Sequence, residues 1–164
     1  MSSRNSNLEK DLKKWFSGAE RVAIAGIGNP IRMDDYVGVK IVQNLRGKVS
    51  ERVMLIECET VPEGYVQQIA DFKPTHVLLI DAALLDTEPG RAKLVEPEKL
   101  PDFQAYSTHV LPLRLFCEYM SEVLKTKIGL LLVEPKVTEF GEELSSELRC
   151  AAGKIAQALT RVMP

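Results

Sequence analysis

The chain has 164 residues, 45% hydrophobic and 27% charged, with a formal net charge of −2; that size suits a single domain, 1–164, with a sizeable core. The slightly acidic balance and the lack of any Lys/Arg run exclude a basic stripe for nucleic acid. No apolar stretch approaches the roughly 20 residues of a membrane span, the polar start is unlike a signal peptide, and three scattered cysteines without a CxxC argue against a disulfide framework or zinc knuckle, so a cytoplasmic protein without membrane insertion is expected.

Residues 1–20 predict an appended helix. Ser6 and Glu9 have capping-box spacing, Leu8, Leu12, Trp15 and Phe16 share one face, and Gly18 ends it. The first strand, 21–26, runs into Gly26 to Gly38, which reads G-I-G-N-P-I-R-M-D-D-Y-V-G and opens a helix over 36–46. Glycines here allow a sharp turn and a bare floor. Two carboxylates, Asp34 and Asp35, stand where that helix begins. A phosphate would compete with them for the same N–H groups and positive dipole end. The acid pair therefore suits a cation or proton chemistry, or else it caps the helix.

A strand at 52–57 and a helix at 62–71 follow. The runs His76-Val-Leu-Leu-Ile-Asp81 and Ile128-Gly-Leu-Leu-Leu-Val133 are continuously apolar, as strands covered on both faces are. Between them, a Pro89-Gly90 turn precedes a weaker strand at 92–96 with no long helix before it, which favours antiparallel pairing. Loops at 86–91 and 97–108 are expected to run over the sheet, ahead of a helix at 110–125. The last helix, 141–161, carries Leu144, Leu148, Ala151, Ile155, Leu159 and Val162 at spacings of three and four. The alternation predicts a three-layer α/β/α sandwich with a mainly parallel, open twisted sheet and one antiparallel strand.

In such sheets, sites form outside the carboxyl ends of the strands. Asp35 follows the first strand, Asp81 closes the strand 76–81, and His109 stands in Tyr106-Ser-Thr-His-Val-Leu-Pro112 at a helix entry. Each also has a purely structural role open to it. Asp35 can cap its helix, Asp81 can accept N–H groups of the next turn, and a lone histidine is often structural. Yet four apolar residues before Asp81 imply burial, and a buried carboxylate needs partners. A helix N-terminus beside His109 disfavours the imidazolium and keeps the neutral ring available as a ligand. His76, at the other end of the sheet, is assigned to structure. Two carboxylates and one imidazole suit a borderline divalent cation such as nickel or zinc, with positions left open. No Gly-x-Ser-x-Gly elbow and no cysteine–histidine pattern points to a serine or cysteine nucleophile.

Four blocks together carry a more specific likeness: G-I-G-N-P-I-R-M-D-D-Y-V-G at 26–38, L-L-I-D-A at 78–82, S-T-H-V-L-P-L at 107–113 and V-E-P-K-V-T-E-F-G-E-E-L-S at 133–145. In their order and spacing the chain resembles the hydrogenase maturation endopeptidases, most closely the hydrogenase 3, formate-hydrogenlyase branch. The resemblance implies an endopeptidase that removes the C-terminal extension of a [NiFe]-hydrogenase large-subunit precursor once nickel is in place. It carries the family's nickel-recognising residues over to Asp35, Asp81 and His109, with Asp35 or Asp81 acting on water. Nickel would come with the precursor, leaving the isolated enzyme metal-free, and Asp34 would remain a cap. One departure stands out. Glu57-Cys58-Glu59-Thr60 replaces the family's Asp-Gly-Gly-Thr or Asp-Gly-Gly-Ser turn, with Pro62 kept, and should alter the lip of the cleft and its charge. Two rival readings are a peptidyl-tRNA hydrolase, whose Arg-His-Asn-x-Gly block is missing here, and a non-catalytic assembly factor that senses nickel.

Overall fold

A computed structural model describes residues 3–99 and 110–164. Five strands, β1 (Val22–Ile27), β2 (Val53–Glu59), β3 (His76–Ala82), β4 (Ala92–Val95) and β5 (Lys127–Val133), form one sheet in the order β2-β1-β3-β5-β4. β1 pairs in parallel with β2 and β3, and β3 with β5, whereas β4 runs antiparallel to β5. The segment 83–91 contains no helix, so it cannot make the crossover that a parallel neighbour needs.

Helices α1 (Ser3–Trp15), α2 (Val37–Leu45) and α5 (Ser146–Val162) cover one face; α3 (Val66–Phe72) and α4 (Val110–Leu124) cover the other. Side chains alternate accordingly. Val22 and Ile24 of β1 enter the core under α2 and α5, while Ala23, Ala25 and Ile27 pack toward α3 and α4. All seven residues of β3 are buried, as expected of a central strand with helices on both sides. No helix among the described residues is long and apolar enough to cross a membrane.

Three helix boundaries differ from expectation. α1 already begins at Ser3, so Ser6 lies inside the helix and the capping-box expectation is corrected. Its apolar face is as anticipated: Leu12, Trp15 and Phe16 are buried, and the Trp15 indole lies so close to Gly129 that a Cβ there would stand 2.8 Å from the ring. Helix 62–71 opens instead as a tight 3-10 turn, Pro62–Tyr65, before α3. α5 starts at Ser146 rather than 141, because Ser145 caps it by accepting the Leu148 N–H (3.4 Å). The stretch before Ser145 is engaged elsewhere, as described below.

His76 is structural, as assigned. It is buried at the amino end of β3, edge-on to Trp15 with ring centroids 5.1 Å apart. Burial, with help from the nearby Lys127 ammonium, holds its pKa below the ordinary histidine value.

Candidate active site

Three glycines build the site. A Cβ at Gly26 would stand 2.4 Å from the Gly38 carbonyl oxygen, one at Gly28 2.2 Å from the Asp35 oxygen, and one at Gly38 2.1 Å from the Ile80 oxygen. All these neighbours are backbone atoms, which cannot swing aside as a side chain can. Their bare surfaces let the 3-10 turn Met33–Tyr36 and the first turn of α2 rest directly on the ends of β1 and β3. Asp35 is thereby set at the carboxyl edge of the sheet, at the end where Asp81 sits on β3.

Every buried carboxylate among the described residues lies at this edge: Asp34, Asp35, Asp81 and Glu134. Two of them shape the backbone. Asp34, fully buried, accepts the N–H groups of Lys136 (2.9 Å), Val137 (3.0 Å) and Ser145 (2.7 Å) and the Ser145 hydroxyl (2.8 Å). The expectation that it caps the helix is thus corrected: no side-chain bond caps α2, and Asp34 instead gathers in the segment between β5 and α5. Glu134 accepts the N–H groups of Leu85 (2.6 Å) and Thr87 (3.2 Å), which fixes the chain as it leaves Asp81. Sequence reasoning missed both roles; the only available signal was for Glu134, a charged residue directly after the apolar strand β5.

The other two acids are the candidate chemical groups. Asp35 Oδ2 accepts the Asn29 N–H at 2.9 Å, and the Asn29 side chain in turn accepts the Ile31 N–H at 3.1 Å, so the Gly loop itself orients the carboxylate. Asp81 is fully buried and accepts the Ala82 N–H at 2.9 Å. Alternation along β3, between Leu79 and Ile80 in opposite cores, puts Asp81 on the face covered by α3 and α4. The third residue singled out from the sequence, His109, lies outside the described residues. Among the described residues no group of three or more His, Cys, Asp or Glu side chains is arranged to hold a metal. Asp35 and Asp81 supply two oxygen donors, which suit a hard or borderline cation.

The unusual turn after β2 affects the lip through one residue rather than two. Cys58 is buried in the core with Ile56 and Ile69, where the β1–β2 register shifts, so its side chain does not reach the lip. Glu57 is tied down by Gln43 (2.9 Å) and Arg46 (2.6 Å), and these bonds, with the Arg46 charge, lower its pKa. Of the two residues that stand where the family has glycines, only Glu59 faces solvent. It adopts a left-handed φ of 52°, a conformation that glycine takes without cost, and its carbonyl accepts the Gly28 N–H at 2.8 Å. Tyr36, which the Gln43 amide also contacts (3.2 Å), has its pKa raised by burial and by the Glu57 and Glu59 charges, so its phenol stays protonated.

The cysteines are unsuited to nucleophilic work. Burial pushes the Cys58 and Cys117 thiols up to about 12, far from the thiolate range of a reactive cysteine, while Cys150 is exposed on α5. A thiol reagent should therefore modify one cysteine per native chain, Cys150, and three after denaturation. Protein mass after labelling checks this; rapid native labelling of Cys58 would contradict it. A separate groove of about 750 Å³ runs between α1, α5 and the 85–94 segment, and its lining includes neither Asp35 nor Asp81.

Comparison with known proteins points one way. The model of the hydrogenase maturation protease family matches residues 39–162. A provisionally named hydrogenase maturation protease of Methanocaldococcus jannaschii is 30% identical over 164 aligned residues, covering 95% of this chain and 96% of that one. The hydrogenase 3 maturation protease of Escherichia coli K12 is 23% identical over 136 residues, covering 81% and 85%. Among solved structures, a [NiFe] hydrogenase maturation protease from Thermococcus kodakarensis superposes with a TM-score of 0.86 at 35% identity, covering 93% of this chain and 98% of that one.

Proposed function

The chain belongs to the hydrogenase maturation protease family, and from that premise we propose that it is a cytoplasmic endopeptidase that removes the C-terminal extension of a nickel-loaded [NiFe]-hydrogenase large-subunit precursor. The observation that carries this reading is the pair of buried acids at one sheet edge, Asp81 on β3 and Asp35 on a turn seated there by glycine contacts that no larger residue permits. The 30% identical M. jannaschii relative and the T. kodakarensis structure support it at the level of the family.

Peptide hydrolysis requires an activated water and a stabilised oxyanion. Nickel carried by the precursor would act as Lewis acid and as the mark that the substrate is ready. Asp35, Asp81 and His109 would complete its coordination from the enzyme side. Asp35 is oriented by the Asn29 N–H and retains acceptor capacity, because a carboxylate can accept several hydrogen bonds. It can therefore take a proton from an attacking water, and Asp81 is the alternative base. With only three hard or borderline donors of its own, the enzyme would hold nickel weakly until a loaded precursor supplies further ligands.

The test is the mass of the precursor before and after incubation with the purified protein. Loss of a C-terminal peptide is expected from nickel-loaded precursor and not from apo-precursor. Equal cleavage of both would remove the role of nickel in recognition. No mass change in either would favour an assembly factor that senses nickel without catalysis.

A further inference from the structure

Four strongly exposed apolar residues sit on the loops that leave the carboxyl ends of four successive strands: Val61 after β2, Ile31 after β1, Leu84 after β3 and Phe140 after β5. Phe140 is the extreme, 84% exposed, and Ile31 is 45% exposed. These two are neighbours across a short parallel pairing, since Arg32 bridges Gly141 and the Gly141 N–H donates to the Ile31 carbonyl at 2.9 Å.

Their backbone is held on every side. The Met33 N–H donates to the Gly141 carbonyl (3.0 Å) and the Asp34 N–H to the Val137 carbonyl (3.0 Å). The Arg32 guanidinium donates to the Thr138 carbonyl (3.0 and 3.1 Å). The Asp34 carboxylate then fastens Lys136, Val137 and Ser145 to the same turn. The backbone that carries this exposed ring is already ordered, so binding on the ring would cost little further backbone entropy. The support is also the turn that bears Asp35, whose own N–H donates to the Arg32 carbonyl at 3.0 Å. Whatever settles on Ile31 and Phe140 is registered against Asp35 through a few fixed bonds.

We propose that Ile31 and Phe140 form an apolar clamp that seats the polypeptide substrate next to Asp35; this rests on the peptidase reading above. The occupant is the precursor chain, because a peptidase must hold an extended polypeptide beside its reacting groups and this patch is continuous with the turn that carries one of them. The clamp acts on binding and register, not on the bond-breaking step.

The experiment is steady-state cleavage of nickel-loaded precursor by wild type, Phe140→Ser, Ile31→Ser, the double variant and Phe140→Leu. Contact with one large apolar side chain is worth about 10- to 100-fold in affinity. KM should therefore rise at least ~10-fold in each serine variant, with kcat within about twofold of wild type, as for lost uniform binding. Phe140→Leu should restore most of the loss. Because both side chains are exposed, the melting temperature should not move. An unchanged KM in the double variant overturns the clamp, as does a fall in kcat alone. So does a patch that only joins two copies of the chain, seen as a dimer-to-monomer change in sedimentation without a change in KM. If wild type leaves the precursor uncut, the peptidase reading fails separately, and precursor binding by wild type against Phe140→Ser then decides the clamp.

Discussion

Asp35→Asn and Asp81→Asn are each expected to fold as wild type does and to cleave nickel-loaded precursor at least ~100-fold more slowly, the scale of a lost general base or metal-positioning group. The amide keeps the shape of the side chain and one carbonyl oxygen. In Asp35→Asn that oxygen can still accept the Asn29 N–H, now made to Oδ2 at 2.9 Å. In Asp81→Asn it can still accept the Ala82 N–H, also at 2.9 Å. What the substitution removes is the negative charge and the ability to take a proton. Cleavage rates followed by precursor mass, together with melting curves, separate these effects. Loss of rate with an unchanged melting temperature supports a chemical role. Full activity in either variant would remove that residue from the mechanism.

The same pair shows how far a sequence carries an argument of this kind. The place of Asp35 and Asp81 at the carboxyl edge of the sheet is legible because both positions are set by short-range signals: a Gly loop after one apolar strand and an acid closing another. The parallel order of the central strands was legible for a similar reason, since unbroken apolar runs such as Leu78 to Ile80 need cover on two faces. The antiparallel edge strand β4 followed from the Pro89-Gly90 turn. The role of Asp34 was not legible. Its partners Lys136 and Ser145 lie more than a hundred residues further along the chain, and nothing local distinguishes a carboxylate that caps its own helix from one that holds a distant segment. The start of α5 is hidden for the same reason. Periodicity at Leu144 and Leu148 extends the helix backward, but the bonds to Asp34 claim residues 136–145 and leave Ser145 as the cap. Cys58, standing where the family has a glycine, likewise reads as a lip residue, whereas a register shift in β2 turns it into the core.

That long-range role makes Asp34 the position with the largest expected effect on stability. Its carboxylate is fully buried and serves three backbone N–H groups and one hydroxyl. A hydrogen bond to a charged group contributes about 1.5–3 kcal/mol, and donors left buried without an acceptor cost more. Water entering the vacated space would offset part of the loss, so Asp34→Ala should destabilise the fold by at least ~3 kcal/mol. At about 2–4 °C per kcal/mol for a chain of this size, the melting temperature should fall by roughly 6–12 °C. Asp34→Asn should fall between alanine and wild type, since one amide oxygen can serve one side of the network while its NH2 group faces a donor on the other. The loss should also be local. Amide hydrogen exchange at Lys136, Val137 and Ser145 should accelerate far more than exchange in β3, because those three N–H groups lose their acceptor directly. Freed of that bond, the 136–145 segment would no longer hold Phe140 beside Ile31, and substrate affinity should weaken with it. A melting temperature within 2 °C of wild type, or exchange at those three amides left unchanged, would show that the segment is held by its other contacts and that Asp34 is not its anchor.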